Sequence, residues 1–237
     1  MRWLFCLSIF PFSLILTGVV KKVAWKYGVV DRPDERRSHL ISTPRCGGIA
    51  ILLSFFIWML YYVQLEGASK QVWMPWLPAF VIGLMGFWDD IKPLSAKLRL
   101  FLQFACSFVS LILLGGIKVK VSFFNVLLPY GLVFGIAWIF MVWCINLYNF
   151  MDGINGIAGI EALSVSIFMS ILTFLEFQYH WSLTWAIFAS AVAGFLFWNF
   201  PKAKIFLGDV GSQFIGYMFA ILLIESAQIM PRWFWCG

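Results

Sequence analysis

Two short acidic segments of this sequence have residue types and spacing that suit chemistry on phosphates. Asp89 and Asp90 stand side by side where a long apolar run ends, and Asp209 follows Gly208 just before another run begins. Carboxylates are preferred oxygen ligands of Mg²⁺, and phosphate oxygens of a substrate often complete its coordination. Adjacent carboxylates also resist joint ionisation, which suits one of them to act as a general base. Taken alone, each segment is also compatible with solvated helix caps or a tight turn.

A third segment, residues 146–159, repeats polar side chains at every third position. These are Asn146, Asn149, Asp152 and Asn155. On a helix this spacing puts neighbouring side chains on adjoining faces, and a polar cluster between apolar runs is costly to leave unpaired. The interspersed glycines favour a broken helix that lines a polar cavity, because irregular backbone is tolerated at membrane depth in that setting. A glycine-rich turn is the alternative interpretation.

The longest polar segment, residues 31–48, contains four arginines, one histidine and a Gly-Gly pair. Planar guanidinium groups bind phosphates and carboxylates through paired hydrogen bonds. This segment is therefore a candidate anion-binding loop. The alternative interpretation is a basic loop that only follows the positive-inside rule.

Long apolar runs are the elements that must position these segments. The chain has 237 residues, of which 62% are hydrophobic and 12% are charged, and its mean hydropathy is +0.89. Soluble domains carry about 25% charged residues, so this composition excludes a disordered chain and a water-soluble enzyme. Eight continuously apolar runs predict an all-α, polytopic membrane helical bundle with about eight transmembrane helices, rather than a barrel of alternating strands. The runs cover residues 3–20, 48–64, 72–88, 98–117, 129–147, 157–177, 181–199 and 213–230. We expect one integral membrane domain over residues 1–237.

The distribution of basic residues predicts the orientation of this bundle. With eight spans, twelve of the 17 Lys and Arg residues fall on one side and five on the other. The positive-inside rule makes the richer side cytoplasmic and leaves both chain ends outside. All the polar segments described above fall on that side, so we expect their loops to form one cytoplasmic active site. The net charge of +6 then reflects topology and anionic ligands rather than nucleic acid.

Few other polar residues interrupt the apolar runs. Glu225 lies deep in the last run, where we expect it to pair with a polar neighbour of the bundle. Ser212 is a candidate N-cap for the last helix, and the weak alternation of residues 118–128 predicts a short hairpin or an interfacial element on the outer side. A transporter would show paired broken helices with polar midpoints, and the sequence contains no such repeat.

The polar segments together resemble the polyprenyl-phosphate N-acetylhexosamine-1-phosphate transferases, glycosyltransferase family 4, in the branch that primes O-antigen and common antigen. The matching stretches are DRPDERRSH and TPRCGG within residues 31–48, GFWDD and LSAKLRL within 86–100, NLYNFMDGINGIAG at 146–159, and FLGDVGS at 206–212. Their order and membrane side also agree, over about residues 17–225. The resemblance implies a multi-pass protein of the bacterial inner (cytoplasmic) membrane with its active face in the cytoplasm.

The resemblance also implies a reaction that depends on Mg²⁺, with Mn²⁺ as a substitute ion. N-acetylhexosamine 1-phosphate passes from a UDP-N-acetylhexosamine to undecaprenyl or another polyprenyl phosphate, which gives the polyprenyl-diphosphate sugar and UMP. This is the first step of cell-envelope glycan assembly. The lipid phosphate attacks the β-phosphorus, so the bond between sugar and phosphate stays intact. The implied partners are these two substrates, the lipid bilayer and, as one form of assembly, a second copy in a homodimer.

The same resemblance implies roles for individual residues. Asp89, Asp90 and Asp152 would be catalytic, with Asp89 as a base or as a positioner of the lipid phosphate. Asp209 and Asp152 would bind the metal. The implied substrate ligands are Asn149, Asn146, Lys97, Arg99, His39 and Arg45.

One departure from the family pattern concerns the end of the chain. Family members usually continue with further spans and carry a cytoplasmic loop with a His-rich motif near the sugar nucleotide. In this sequence the only histidines are His39 and His180, and His180 is predicted on the outer side. We therefore expect a chain truncated at its C-terminus, for which an inactive remnant is the alternative to an active transferase.

Overall fold

A computed structural model describes residues 2–31, 42–66, 73–116, 122–123, 126–127 and 129–229. Within these ranges the chain forms eight α-helices, one 3₁₀ turn and two short antiparallel strand pairs. The helices are α1 Arg2–Lys26, α2 Gly48–Glu66, α3 Leu77–Ile91, α4 Ala96–Leu113, α5 Tyr130–Met151, α6 Ile157–Leu175, α7 Tyr179–Asn199 and α8 Gly208–Ile229. The 3₁₀ turn Met74–Trp76 precedes α3, and the strands are β1 Val30–Asp31, β2 Thr43–Pro44, β3 Ser122–Phe123 and β4 Val126–Leu127.

Each of the eight predicted apolar runs corresponds to one helix of the structure. Six helices, α1 and α4 to α8, are long and apolar enough to cross a membrane. The predicted polytopic helical membrane protein is therefore confirmed. The apolar stretches of the two remaining helices are shorter than those of the six. The apolar stretch of α2 is Gly48–Tyr61, and α3 has 15 residues. For these two the helix is confirmed, and the crossing of the membrane stays a prediction.

The last helix, α8, forms the centre of the bundle. It packs against α2, α3 and α5, while α7 packs against α1, α2 and α6. In the most apolar window of α8, 83% of the residues are buried, against 17% in α5. A helix that is apolar on all faces is buried either in a protein core or in a membrane, and α8 occupies the core of this bundle. Because α8 begins at Gly208, its central position also fixes where the FLGDVGS segment lies.

Aromatic rings join the two halves of the bundle. Phe55 of α2 lies 5.6 Å from Phe188 of α7 and 6.0 Å from Phe214 of α8, measured between ring centroids. Edge-to-face contacts of this kind add about 0.5–1.5 kcal/mol each beyond the burial of apolar surface. Phe55 therefore packs against both α7 and α8 and links them.

Two smaller predictions from the sequence are confirmed. Glu225 has a polar neighbour, because the indole Nε1 of Trp76 donates a 2.8 Å hydrogen bond to its Oε2. Strands β3 and β4 pair antiparallel inside the segment predicted as a hairpin.

Close backbone contacts bring the helix ends together at one end of the bundle. A Cβ atom at Gly86 of α3 would lie 2.7 Å from the Cα of Val210 in α8. A Cβ atom at Gly48 would likewise overlap the backbone of Gly211. Real Cβ atoms do not approach backbone this closely, so only glycine allows α2 and α3 to reach the start of α8.

Replacement of Gly86 by alanine tests this contact. We expect Gly86→Ala to lower the free energy of unfolding by about 1–3 kcal/mol, because the added methyl group must push α3 away from α8. Gly135→Ala is the matched control, since Gly135 also lies within a helix but has open space around it. Alanine favours a helix over glycine by about 1 kcal/mol, so the control should be neutral or stabilised. Thermal unfolding in detergent measures both, and equal melting temperatures for the two variants would contradict the close-contact interpretation.

Candidate active site

The carboxylate of Asp90 joins the end of α3 to the beginning of α8. Its Oδ1 accepts a 3.0 Å hydrogen bond from the backbone N–H of Asp209, and its Oδ2 accepts one of 3.2 Å from the N–H of Val210. The first N–H groups of a helix have no partner inside the helix, so Asp90 caps α8 from a different helix. Gly208 has a φ of +75°, and a Cβ there would lie 3.0 Å from the Cγ of Asp90. This cap therefore requires glycine before Asp209.

Ser212 does not cap α8, and the prediction of this role is wrong. It lies in the second turn of the helix, fully buried, and its hydroxyl donates a 3.2 Å hydrogen bond to Oδ1 of Asn149. The sequence rule for N-caps considers only nearby positions, whereas here the capping carboxylate comes from residue 90. Ser212 instead holds the end of α5 against α8.

The neighbouring acid, Asp89, has both carboxylate oxygens engaged. Its Oδ2 forms a 2.7 Å ion pair with the guanidinium of Arg99, and its Oδ1 accepts a 2.6 Å hydrogen bond from the N–H of Leu94. Asp89 is buried, so these partners replace water as its ligands. Its position fixes the turn between α3 and α4 and holds Arg99 in place. The same guanidinium lies 3.9 Å from Oδ2 of Asp209.

Asp152 and Asp209 bring further negative charge to this end of the bundle. Asp152 directly follows α5, is half-buried and receives no hydrogen bond from the described residues. Withdrawal of its carboxyl from water, and then the charges of Asp209 and Asp90, raise the pKa of Asp152 to about 8. In the absence of a cation Asp152 is therefore mostly protonated at neutral pH, and a bound cation would favour its ionised form.

The donor set fits a divalent cation that also binds substrate oxygens. Among the described residues, no group of three or more His, Cys, Asp or Glu side chains is arranged to hold a metal ion. Mg²⁺ commonly uses only one or two carboxylates, with waters and substrate phosphates as its other ligands. Asp152 and Asp209 can supply the two carboxylates, because neither is used to cap a helix.

Asn146 and Asn149 have different surroundings, although both belong to the three-residue repeat. Asn149 faces α8 through its contact with Ser212. The amide NH₂ of Asn146 donates to the side-chain oxygen of Gln103 at 2.7 Å and to the carbonyl of Val142 at 2.8 Å. Gln103 in turn donates a 3.2 Å hydrogen bond to Gln213. Asn146 therefore braces α5 against α4 and α8, and a direct role in substrate binding stays a prediction.

Asn199 is a residue of this region that the sequence reasoning did not select. Its Oδ1 accepts a 2.8 Å hydrogen bond from the N–H of Gly156, and its Nδ2 donates one of 3.0 Å to the carbonyl of Ile205. One buried amide thus joins the glycine-rich segment after α5 to the loop before α8. The sequence feature that could have indicated this role is an asparagine at the end of an apolar run, directly before Phe200-Pro201.

Three candidate ligands remain, and they lie in the polar segment 31–48 and in α4. Arg45 forms a 2.7 Å ion pair with Asp31 beside the paired strands β1 and β2. Lys97 is exposed in the first turn of α4. His39 lies outside the described residues, so its predicted role is not tested.

Backbone hydrogen bonds connect the polar segment 31–48 to the segment 206–212 at the start of α8. The N–H of Gly47 donates to the carbonyl of Phe206, and the N–H of Gly48 donates to that of Leu207, both at 2.9 Å. With the side-chain contacts above, all the polar segments meet where α3 and α5 end and where α2 and α8 begin. The predicted convergence at one end of the bundle is confirmed for their described residues.

This geometry defines the class of the protein: a polytopic helical bundle with an acidic site at one end. The family model described as "Glycosyl transferase family 4" matches residues 72–227, which is more than half of the chain. The chain therefore belongs to this family, and the resemblance found in the sequence is confirmed.

Curated relatives match most of this chain. It is 34% identical over 220 residues to "Probable undecaprenyl-phosphate N-acetylglucosaminyl 1-phosphate transferase" of Bacillus subtilis (strain 168), covering 88% of this chain and 58% of the relative. It is 29% identical to "Undecaprenyl-phosphate alpha-N-acetylglucosaminyl 1-phosphate transferase" of Thermotoga maritima, covering 86% and 59%. It is 31% identical to the protein of that name from Escherichia coli (strain K12), covering 94% and 62%. The chain thus spans about three-fifths of the length of these relatives.

Removal of the Asn199 amide tests its bridging role. We expect Asn199→Ala to cost about 1–3 kcal/mol for each buried backbone group left without its partner, namely the N–H of Gly156 and the carbonyl of Ile205. Asn155→Ala is the matched control, since Asn155 lies in the same glycine-rich segment and is exposed. Chemical denaturation monitored by tryptophan fluorescence gives both values. An Asn199→Ala loss no larger than that of the control would contradict the bridge.

The raised pKa of Asp152 predicts a pH dependence of stability in the cation-free protein. Folding raises this pKa above its ordinary value near 4, so the native state binds the proton more tightly than the unfolded state. The resulting stabilisation is complete below about pH 4 and is lost as the pH rises through about 8. In the presence of a chelator, we expect Asp152→Asn to become more stable than the wild type as the pH rises from about 5 to about 8.5. Melting curves across this range measure the difference, and parallel curves for the two proteins would contradict the assignment.

Proposed function

We propose that this chain transfers N-acetylhexosamine 1-phosphate from a UDP-sugar to polyprenyl phosphate, releasing UMP. The observation that carries the proposal is Asp209 beside Arg99, with Asp152 close enough to Asp209 for their charges to interact, at one end of a helical membrane bundle. Two carboxylates and a guanidinium are suited to a diphosphate substrate together with an anionic lipid head group. Each relative described above is named for an undecaprenyl-phosphate transferase of N-acetylglucosamine 1-phosphate. We propose N-acetylglucosamine as the first sugar to test.

The transfer exchanges one phosphorus–oxygen bond for another. An oxygen of the lipid phosphate forms a bond to the β-phosphorus of the UDP-sugar. The bond from the β-phosphorus to the oxygen that bridges it to the α-phosphorus breaks, and UMP leaves with that oxygen and the electron pair. The bond between sugar and β-phosphate is not touched.

A strong general base is not required, because a phosphate monoester is already anionic near neutral pH. Asp89 is therefore proposed as a positioning residue that holds Arg99, since both of its oxygens are occupied. Arg99, with Lys97 nearby on α4, would bind the lipid phosphate. Asp90 would act by fixing the start of α8 and with it the carboxylate of Asp209.

Asp152 and Asp209 would hold Mg²⁺, or Mn²⁺ in its place, which neutralises diphosphate charge and the charge that develops on the leaving UMP. The side-chain oxygen of Asn149 accepts the hydrogen bond from Ser212, and its amide NH₂ would donate to the nucleotide. The buried surroundings strengthen such contacts, because charges interact more strongly away from bulk water.

The active face is proposed to be cytoplasmic, in a bacterial inner membrane. Twelve of the 17 basic residues belong to connections on the side of the site, as the positive-inside rule requires of cytoplasmic loops. A water-soluble UDP-sugar would reach the site from that side, and the polyprenyl phosphate would reach it from the membrane.

Substitution of the two proposed metal ligands tests the function. With the chain in phospholipid vesicles, UDP-N-acetylglucosamine, undecaprenyl phosphate and Mg²⁺, we expect release of UMP. Asp152→Asn and Asp209→Asn should each lower the rate at least about 100-fold, which is typical for loss of one group that stabilises developing charge. Glu176→Gln is the matched control, because this acid follows α6 at the opposite end of the bundle and should retain the wild-type rate.

Two outcomes would contradict the proposal. Wild-type chain that binds both substrates but releases no UMP would favour the alternative of an inactive relative. Full activity of both aspartate variants would show that the reacting groups lie elsewhere.

A further inference from the structure

Two lysines from separate elements gather around one tryptophan at the same end of the bundle as the candidate site. The Nζ of Lys21, near the end of α1, lies 4.9 Å from the centroid of a Trp198 ring. The Nζ of Lys204, in the loop before α8, lies 5.6 Å from the same residue. Each ammonium group is held by the electron-rich face of the indole.

The indole that gathers them is firmly fixed. Its Nε1 donates a 2.9 Å hydrogen bond to the carbonyl of Leu14, and the N–H of Lys204 donates one of 2.8 Å to the carbonyl of Trp198. A Cβ at Gly18 would lie 3.1 Å from the indole, so the ring packs directly on α1. The two lysines are therefore brought together by the fold and not by flexible loops.

No acidic side chain among the described residues forms an ion pair with Lys21 or Lys204. The ion pairs of the described residues engage Arg45 and Arg99, and none engages these lysines. Lys22 and Lys202, next to the pair in the chain, are exposed and add to the positive charge. Like charges that a fold brings close together are stabilised by a shared anion.

An exposed stripe of α1 ends in lysines next to Lys21 in the chain. Ile15 is 67% exposed and Val19 is 49% exposed, and the stripe continues in steps of three and then four residues to the exposed Lys22 and Lys26. Residues with this spacing lie along one stripe of a helix. The stripe is apolar along the membrane span and basic at its end, which matches an acyl chain that runs up to a phosphate head group.

We propose that Lys21, Lys204 and Trp198 form a binding site for the head group of an anionic phospholipid. Trp is enriched at membrane–water interfaces, and the face of this indole lies beside both ammonium groups. Anionic lipids attract basic residues at the membrane surface by about 1 kcal/mol per lysine. The proposal does not depend on the proposed function, because it concerns lipid binding and not turnover.

Removal of both charges tests the site. Binding of phosphatidylglycerol to the purified chain in neutral detergent can be measured by native mass spectrometry. We expect Lys21→Gln/Lys204→Gln to bind it roughly 25-fold more weakly, since two lysines contribute about 2 kcal/mol and 1.4 kcal/mol corresponds to tenfold. Lys21→Arg/Lys204→Arg keeps both charges and should bind within about twofold of the wild type. This second variant separates loss of charge from damage to the fold.

A matched control comes from another exposed lysine. Lys92 follows α3 at the same end of the bundle and is exposed. Lys92→Gln should change binding of phosphatidylglycerol by less than about twofold, and phosphatidylcholine with the same acyl chains should bind the wild type and the double glutamine variant equally. Equal loss of binding in Lys92→Gln would show a general effect of net charge and would overturn the site.

Further outcomes would overturn the proposal. Unchanged binding of phosphatidylglycerol by the glutamine variant would show that the lysines serve topology alone. Displacement of the lipid by equimolar inorganic phosphate would reassign the patch to free anions. Displacement by equimolar undecaprenyl phosphate would reassign it to the acceptor lipid.

Discussion

The hydrogen bonds from the Asp209 and Val210 N–H groups to the carboxylate of Asp90 hold the site together. They satisfy the start of the central helix with a negative charge, which the helix dipole also favours. The cap works only because Gly86 lets the two helices touch and because Gly208 leaves room for the carboxylate. Since α8 is surrounded by the rest of the bundle, a shift at its first turn would displace Asp209 relative to every other segment of the site.

The four aspartates of the site divide between architecture and chemistry. Asp90 caps α8, and Asp89 fixes Arg99 and the turn after α3. Asp152 and Asp209 remain available to a ligand. The raised pKa of Asp152 shows the cost of ionising a carboxyl that is withdrawn from water and lies near other acids. Proteins retain such groups mainly where function requires them, because the surrounding fold must offset the cost. The cost disappears when a cation binds, so the same feature that destabilises the free site favours its ligand.

The sequence predicted which helices form and where the polar segments lie, but it did not predict the contacts between those segments. Continuous apolar runs predicted every helix to within a few residues, and the alternation of the spans placed the polar segments at one end, because both follow from signals local to the chain. Partners across the bundle were not accessible in this way. Asp89 and Asp90 are adjacent in sequence yet serve different helices, Ser212 turns from the helix start towards Asn149, and Asn199 was missed. Each of these contacts depends on which backbones approach closely, and such approaches are decided by packing and not by spacing along the chain.

Polar contacts also explain how the apolar helices acquire one relative rotation. Lipid is as apolar as the helix surfaces, so burial of apolar side chains alone discriminates weakly between rotations about a helix axis. Two contacts prefer one rotation of α8: the chain from Asn146 through Gln103 to Gln213, and the hydrogen bond from Ser212 to Asn149. Any other rotation would leave several of these groups unpaired away from water, at about 1–3 kcal/mol each. The rotation that satisfies them is also the one that brings the N–H groups at the start of α8 to Asp90. The buried amides and the acidic site therefore both require the same rotation of the central helix.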